Sequence, residues 1–219
     1  DFLDFVVLGE AEQALSDVIE VYAEAKAQGL DRYNTLLALS RVPGVYVPSF
    51  YQVHYNGDGT IAGVEPIGDV PPVVYKRVLA DLDPQFYPTE PVVPFLGTVH
   101  DRLMLEIFRG CTRGCRFCQA GMIYRPVRER NRQDLLALAQ AALKASGHNE
   151  VSLMSLSTMD YSDLSNLLDE FLDRFSCDHI RLSLPSLRAD SFSVEQAMKV
   201  QQSRRGGLTL APEAGSPRL

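Results

Sequence analysis

The residues best suited to chemistry are concentrated in one stretch, Glu106-Ile-Phe-Arg-Gly-Cys111-Thr-Arg-Gly-Cys115-Arg-Phe-Cys118. Three of the chain's 4 cysteines stand there in a C-x3-C-x2-C spacing. Thiolates this close together on a loop converge on one face of a metal centre, and Gly110 and Gly114 permit the backbone turns that such wrapping needs. Three thiolates hold three irons of a 4Fe-4S cube and leave the fourth without a protein ligand, whereas an electron-transfer ferredoxin normally supplies four cysteines. An open iron is a place where a substrate or cosubstrate binds.

Two other uses of the cysteines fit less well. A structural zinc site takes four ligands, usually as two pairs. The remaining candidates, Cys177, His148 and His179, lie far off in sequence and form no second C-x2-C. On that alternative the chain is a zinc-stabilised RNA-binding module, and metal analysis separates the two readings: iron with sulfide for the cluster, zinc without sulfide for the module. Disulfides fit worse still, since three clustered cysteines cannot all pair and nothing resembles a small secreted scaffold. Cys177, at the start of a strand pattern, reads as a small core residue.

At 219 residues, with 46% hydrophobic and 22% charged content, the chain can bury a sizeable core as one large domain or two small ones. No apolar run approaches membrane-spanning length, and the opening Asp1-Phe-Leu-Asp-Phe-Val-Val-Leu8 is too short and acidic for a signal peptide. Free thiols suit a reducing compartment, so the expected location is cytoplasmic. The chain begins without Met, inside an apolar run, and is read as a piece of a longer protein. A net charge of -7 argues against nonspecific nucleic-acid binding over the whole surface. Locally the balance reverses: Arg109, Arg113, Arg116, Arg125, Arg128, Arg130 and Arg132 face the single acid Glu129. As a group they predict an anion-facing rim for a carboxylate, a phosphate or RNA; the alternative is a loop held by ion pairs.

The elements that must position these groups follow from periodicity. Residues 5–8 read as a buried strand, followed by a helix with Leu15, Val18, Ile19 and Tyr22 on one face and Gly29 as its stop. A second helix is expected over about 32–40 and a hairpin over 50–64 around Asn56-Gly-Asp-Gly59, with His54 a structural or surface histidine. Residues 66–94 read as a proline-rich linker with a helical turn near 75–82. From Leu103 strands (103–108, 151–156, 179–184, 208–211) alternate with helices (133–146, 164–175, about 194–202), the pattern of parallel-sheet units in a barrel or open doubly wound sheet. Ligands in such folds sit at the carboxyl ends of strands, where this chain carries the cysteines, Ser155 to Asp160, Pro185 to Asp190, and Pro212 to Ser216. Asp160, Ser162, Asp190 and Ser193 precede helices and read as caps, an explanation that does not cover Arg188 or Glu213.

The C-x3-C-x2-C spacing, with Phe117 just before the third cysteine, resembles the signature of the radical S-adenosylmethionine enzymes. The resemblance implies that the amino and carboxylate groups of S-adenosylmethionine chelate the open iron. One electron from the reduced cluster then breaks a carbon–sulfur bond, and a 5'-deoxyadenosyl radical abstracts hydrogen from the substrate. Leu105-Glu-Ile-Phe-Arg-Gly-Cys111, Tyr124-Arg-Pro-Val-Arg-Glu-Arg130, Leu184-Pro-Ser-Leu-Arg-Ala-Asp190 and Leu210-Ala-Pro-Glu-Ala-Gly-Ser216 are similar to a cobalamin-binding-domain-type subgroup of iron-sulfur oxidoreductases.

The implied fold is α/β. Residues 98–219 would be the first four βα units, about two-thirds, of a partial (βα)6 barrel related to the TIM barrel. Residues 1–30 would be the end of a Rossmann-like cobalamin-binding-type domain, and 31–97 a linker with a helix and a β-hairpin. The implied ligands are Cys111, Cys115 and Cys118. Phe117 would pack by the adenine, Glu213 and Ser216 would contact the ribose or methionyl part, and Arg188 would point into the barrel, onto S-adenosylmethionine. Ser157 belongs to the segment standing where the superfamily carries a Gly-Gly-Glu element, and is expected on the cosubstrate. Implied partners are S-adenosylmethionine and a low-potential donor of flavodoxin or ferredoxin type, with cobalamin only in the full-length protein; the substrate is not revealed by the sequence, RNA or a nucleotide being one candidate that the arginine run leaves open. Methyl and methylthio transfer are among the reactions that start this way, and a four-strand piece alone is expected to be inactive.

Overall fold

A computed structural model describes residues 2–189, 198, 209–213, 215 and 216. The chain divides into two compact units, Asp1–Leu79 and Ala80–Leu219.

The first unit contains β1 (Val6–Val7), α1 (Glu12–Ala27), α2 (Arg32–Leu39), β2 (Val45–Tyr46), β3 (Tyr51–Tyr55) and β4 (Ile61–Pro66). β1 pairs antiparallel with β2, and β3 with β4 in the expected hairpin. Asp31 caps α2 by accepting from the Asn34 amide at 2.8 Å. Val18, Leu39, Val42, Val45, Val47 and Phe50 form the core.

Of the expected apolar face of α1 only Val18 is buried. The helix buries Ala14, Val18 and Ala25, while Leu15, Ile19 and Tyr22 remain 57, 57 and 52% exposed. The two rows are one residue, about 100°, apart on the helix, and the row rich in alanine allows the closer approach to α2. The helical turn expected near 75–82 is also absent. Arg77 is extended, its amide donating to Leu8 O at 2.8 Å and its carbonyl accepting from Glu10 N at 3.0 Å. Gly9, with φ +98, lets these backbones meet, since a Cβ there would lie 2.1 Å from Arg77 O. His54 is exposed and 3.2 Å from Glu65.

In the second unit the described elements are β5 (Leu103–Glu106), β6 (Phe108–Arg109), α3 (Ala120–Ile123), β7 (Arg128–Glu129), α4 (Arg132–Ser146), β8 (Glu150–Met154), α5 (Leu164–Phe175), β9 (Arg181–Ser183), β10 (Leu187–Arg188) and β11 (Leu210–Ala211). β5, β8 and β9 form a parallel sheet in that order, so the mixed α/β architecture with parallel strands is present. Asn131 caps α4 through the Gln133 amide at 2.8 Å, and Gly147, left-handed at φ 73, ends it. The apolar faces of α4 (Leu135, Leu138, Ala139, Ala142, Leu143) and α5 (Leu164, Leu167, Leu168, Phe171, Phe175) are buried on this sheet's core. The residues expected to form one strand over 103–108 are split by Ile107 between β5 and β6, and β6 pairs antiparallel with β7. Leu187 and Arg188, expected in a loop, pair in parallel with Leu210 and Ala211. Cys177 is exposed on the turn Ser176–Asp178 that follows α5, so it is no core residue. The helix expected over 194–202, apart from Met198, and Asp190 and Ser193 lie outside the described residues.

Candidate functional site

The cysteine segment leaves the carboxyl end of the parallel strand β5 and is closed at its base by the β6–β7 ladder, which pairs Phe108 with Glu129 and Arg109 with Arg128. At the mouth of this closure Gly110 takes φ +91, and any Cβ there would lie 2.6 Å from Pro126 O and 2.7 Å from Tyr124 O. Only glycine lets the two sides of the loop come this close. Cys111, Cys115 and Cys118 are free and partly buried, and the Cys118 amide donates to Cys115 O at 3.0 Å in a tight turn. Gly121 of α3 is buried beside Cys111. Phe117 is 61% exposed at the rim.

The ends of the neighbouring strands meet this loop. Arg188 on β10 donates from Nη1 to Cys115 Sγ at 3.4 Å. Arg113, between the first two cysteines, grips Asp160 with both prongs of its guanidinium, Nε to Oδ2 at 2.6 Å and Nη2 to Oδ1. These bonds hold the Asp160 carboxyl below its ordinary range against a smaller opposing push from burial, helped by the Ser157 hydroxyl and by the charges of Arg113 and Arg188. Ser157 is 2% exposed, and its Oγ has no hydrogen-bond partner at normal geometry. Glu213 follows β11, partly buried at φ 68, and Ser216 is exposed.

Most of the arginine run is engaged internally. Arg109 chelates Glu106 at 2.8 and 3.0 Å, and Arg132 pairs with Asp163 and Glu170. Arg130 is buried, donating to Leu82 O at 2.7 Å and to Glu106 at 3.2 Å, its guanidinium 5.5 Å from the Tyr87 ring centre. The expected anion-facing rim is thus largely a structural network. Asp160 is not a helix cap either, because its carboxylate belongs to Arg113. Glu129 does the capping work before α5, accepting from the amide and hydroxyl of Ser162.

The zinc alternative needs a fourth ligand, and the sheet keeps the candidates away. His148 precedes β8, and Cys177 and His179 precede β9, which puts all three at the amino end of strands whose carboxyl ends face the cysteine loop. His148 lies 3.3 Å from Asp101. Among the described residues no three His, Cys, Asp or Glu side chains close round one metal ion, the three cysteines included, so this observation does not separate the two metals. The donor set present suits a cluster: three free thiols on a glycine-shaped loop, with a cationic donor aimed at one sulfur.

Arg113 and Asp160 are the pair that sequence reading missed. They stand 47 residues apart, and only the parallel register of β5 with β8 (Leu105 opposite Leu153) brings them together. Asp160's place in a polar run past a strand was the available signal.

A three-cysteine loop delivered by a parallel strand marks an α/β protein with a cluster of thiols at the carboxyl end of its sheet. The pattern described as the radical SAM superfamily matches residues 105–219, just over half the chain, and the pattern described as the N-terminal part of radical SAM proteins matches residues 1–48. The chain belongs to the radical SAM superfamily, an enzyme family whose cofactors are a 4Fe-4S cluster and S-adenosylmethionine. The uncharacterized protein MJ0966 of Methanocaldococcus jannaschii is 38% identical over 144 residues, covering 66% of this chain and 30% of that protein. This chain therefore spans under a third of that relative. The radical S-adenosylmethionine methyltransferase TsrM from Kitasatospora setae, solved with its tryptophan substrate and an S-adenosylmethionine analogue, superposes with a TM-score of 0.54 at 16% identity. The match covers 99% of this chain and 38% of TsrM, and at that identity it is a likeness of fold. Among the described residues no helix is long and apolar enough to cross a membrane.

Proposed function

We propose that residues 98–219 are the cluster-bearing part of a partial (βα)6 barrel, in an enzyme that reductively cleaves S-adenosylmethionine. Cys111, Cys115 and Cys118 would ligate three irons of the cluster and leave the fourth to the cosubstrate. When bound, the cluster supplies the single electron that breaks the cosubstrate's carbon–sulfur bond to yield a 5'-deoxyadenosyl radical. The observation that carries this reading is the convergence of the cysteine loop with the carboxyl ends of β8 and β10, through Arg113 on Asp160 and Arg188 on Cys115.

Each remaining residue has a stated part in this reading. Phe117, exposed at the rim, offers a ring face for the adenine. Ser157 brings a buried hydroxyl past β8, beside Asp160. Glu213 and Ser216, past β11 and so beside the strand of Arg188, bring oxygens toward the ribose or methionyl part. Arg188 supplies positive charge where the cosubstrate carboxylate and a thiolate would both lie. Residues 1–30 are proposed as the end of a cobalamin-binding-type domain, with cobalamin itself held only in the full-length protein.

The test is formation of 5'-deoxyadenosine by full-length protein, reconstituted without oxygen and reduced, and its loss in Cys111→Ala, Cys115→Ala and Cys118→Ala. No product from wild-type protein carrying four irons and four sulfides overturns the reading.

A further inference from the structure

Residues 112–114, between the first two cysteines, are exposed and have no regular structure. Gly114 is left-handed, with nothing within 4 Å of where a Cβ would stand. Packing therefore does little to fix the distance between Cys111 and Cys115. What crosses from this interval to the sheet is Arg113, whose fork closes on Asp160 in the turn Thr158–Asp160 past β8. That turn is itself anchored, since the buried Thr158 donates from Oγ1 to Pro185 O at 2.6 Å, just before β10 and Arg188. Asp160 also feels the charge of Arg188, which donates to Cys115. One carboxylate is thus gripped by an arginine of the cysteine loop and lies within the field of a second arginine that is bonded to a cysteine.

We infer that Asp160 is a positioning residue for the cluster: acting through Arg113, it latches the first two thiolates at the spacing the cluster requires. This rests on the proposed cluster reading and adds a role that a capping or cosubstrate-binding Asp160 would not have. A bidentate pair of this kind fixes direction as well as distance. Because both partners are partly exposed, the pair contributes little to global stability. Its effect is local, on how firmly the loop holds what it binds.

The experiment is a double-mutant cycle of Arg113→Gln, Asp160→Asn and both together, in full-length protein reconstituted without oxygen. It is read as the rate at which a chelator extracts iron, with thermal unfolding measured alongside. Each single change is expected to speed release roughly tenfold, the range for losing a partner that orients a metal ligand. The double variant is expected to be no faster than either single, with unfolding unchanged. Arg113→Lys, which keeps the charge and loses the fork, is expected to fall between wild type and Arg113→Gln, and keeps the test open should Asp160→Asn not fold. Release at the wild-type rate in the variants that fold, or single effects that multiply in the double, overturns the inference. Wild-type protein lacking iron and sulfide overturns the cluster reading as well, so the two failures are distinguishable.

Discussion

Arg188 Nη1 donates to Cys115 Sγ across 3.4 Å, from a strand 73 residues further along the chain. A cation hydrogen-bonded to a cluster thiolate withdraws charge from the sulfur and favours the reduced state. Arg188→Gln is therefore expected to lower the cluster's reduction potential by about 59 mV, a tenfold change in ratio for a one-electron couple. Arg188→Lys should recover part of this. Potentiometric titration followed by electron paramagnetic resonance checks it, with iron content as the control for a merely structural loss.

Gly110 and Gly114 are both left-handed but differ in surroundings. At Gly110 a Cβ would strike the backbone oxygens of Pro126 and Tyr124, and at Gly114 it meets nothing. Gly110→Ala is expected to cost roughly 2–4 kcal/mol in strain and overpacking, and Gly114→Ala about 1 kcal/mol. Urea unfolding of the two variants measures the difference.

Arg130 is buried where Glu106, Leu82 O and the Tyr87 ring surround its guanidinium. Truncating one partner of a buried charged network strands the others. Arg130→Ala should destabilise the second unit by about 3–5 kcal/mol, read as a lower midpoint in urea.

Tyr161 is buried and donates to Arg130 O at 2.9 Å. Burial, with smaller contributions from Asp163 and Glu129, pushes its phenol from 10.0 up to about 12. A group with a raised folded value gives stability that is complete below its unfolded pKa and is lost as pH rises through the folded one. The Tyr161 contribution should therefore hold to about pH 10 and decline between 10 and 12. Comparing Tyr161→Phe with wild type by denaturation across that window checks the sign: the gap between them narrows as pH rises. At neutral pH the substitution should cost about 1–2 kcal/mol for the lost hydrogen bond.

The cysteine spacing, the helices α4 and α5 and the hairpin β3–β4 were legible because each is set by local pattern: fixed intervals between cysteines, apolar residues at helical spacing, and an Asn-Gly turn between two strands. What was not legible depends on partners remote in sequence. Leu15, Ile19 and Tyr22 repeat as well as Ala14, Val18 and Ala25, and only the approach of α2 decides which row is buried. Arg77 lies in an extended bridge because Gly9 accepts its backbone, something no window around Arg77 contains. Of the acids that pair with the arginine run, Glu106, three residues before Arg109, was within reach of the sequence; the run looked like a surface for anions because the other three, Asp160, Asp163 and Glu170, come from other elements. Asp160 looked like a cap for the same reason.

The central claim is that the three cysteines carry a cluster with one iron open to S-adenosylmethionine. Its most direct test is the electron paramagnetic resonance spectrum of reduced, anaerobically reconstituted full-length protein before and after S-adenosylmethionine is added. A cluster signal whose g-values shift on addition is expected, and no cluster in the triple variant Cys111→Ala, Cys115→Ala, Cys118→Ala. A fully assembled cluster whose spectrum is indifferent to S-adenosylmethionine would contradict the claim.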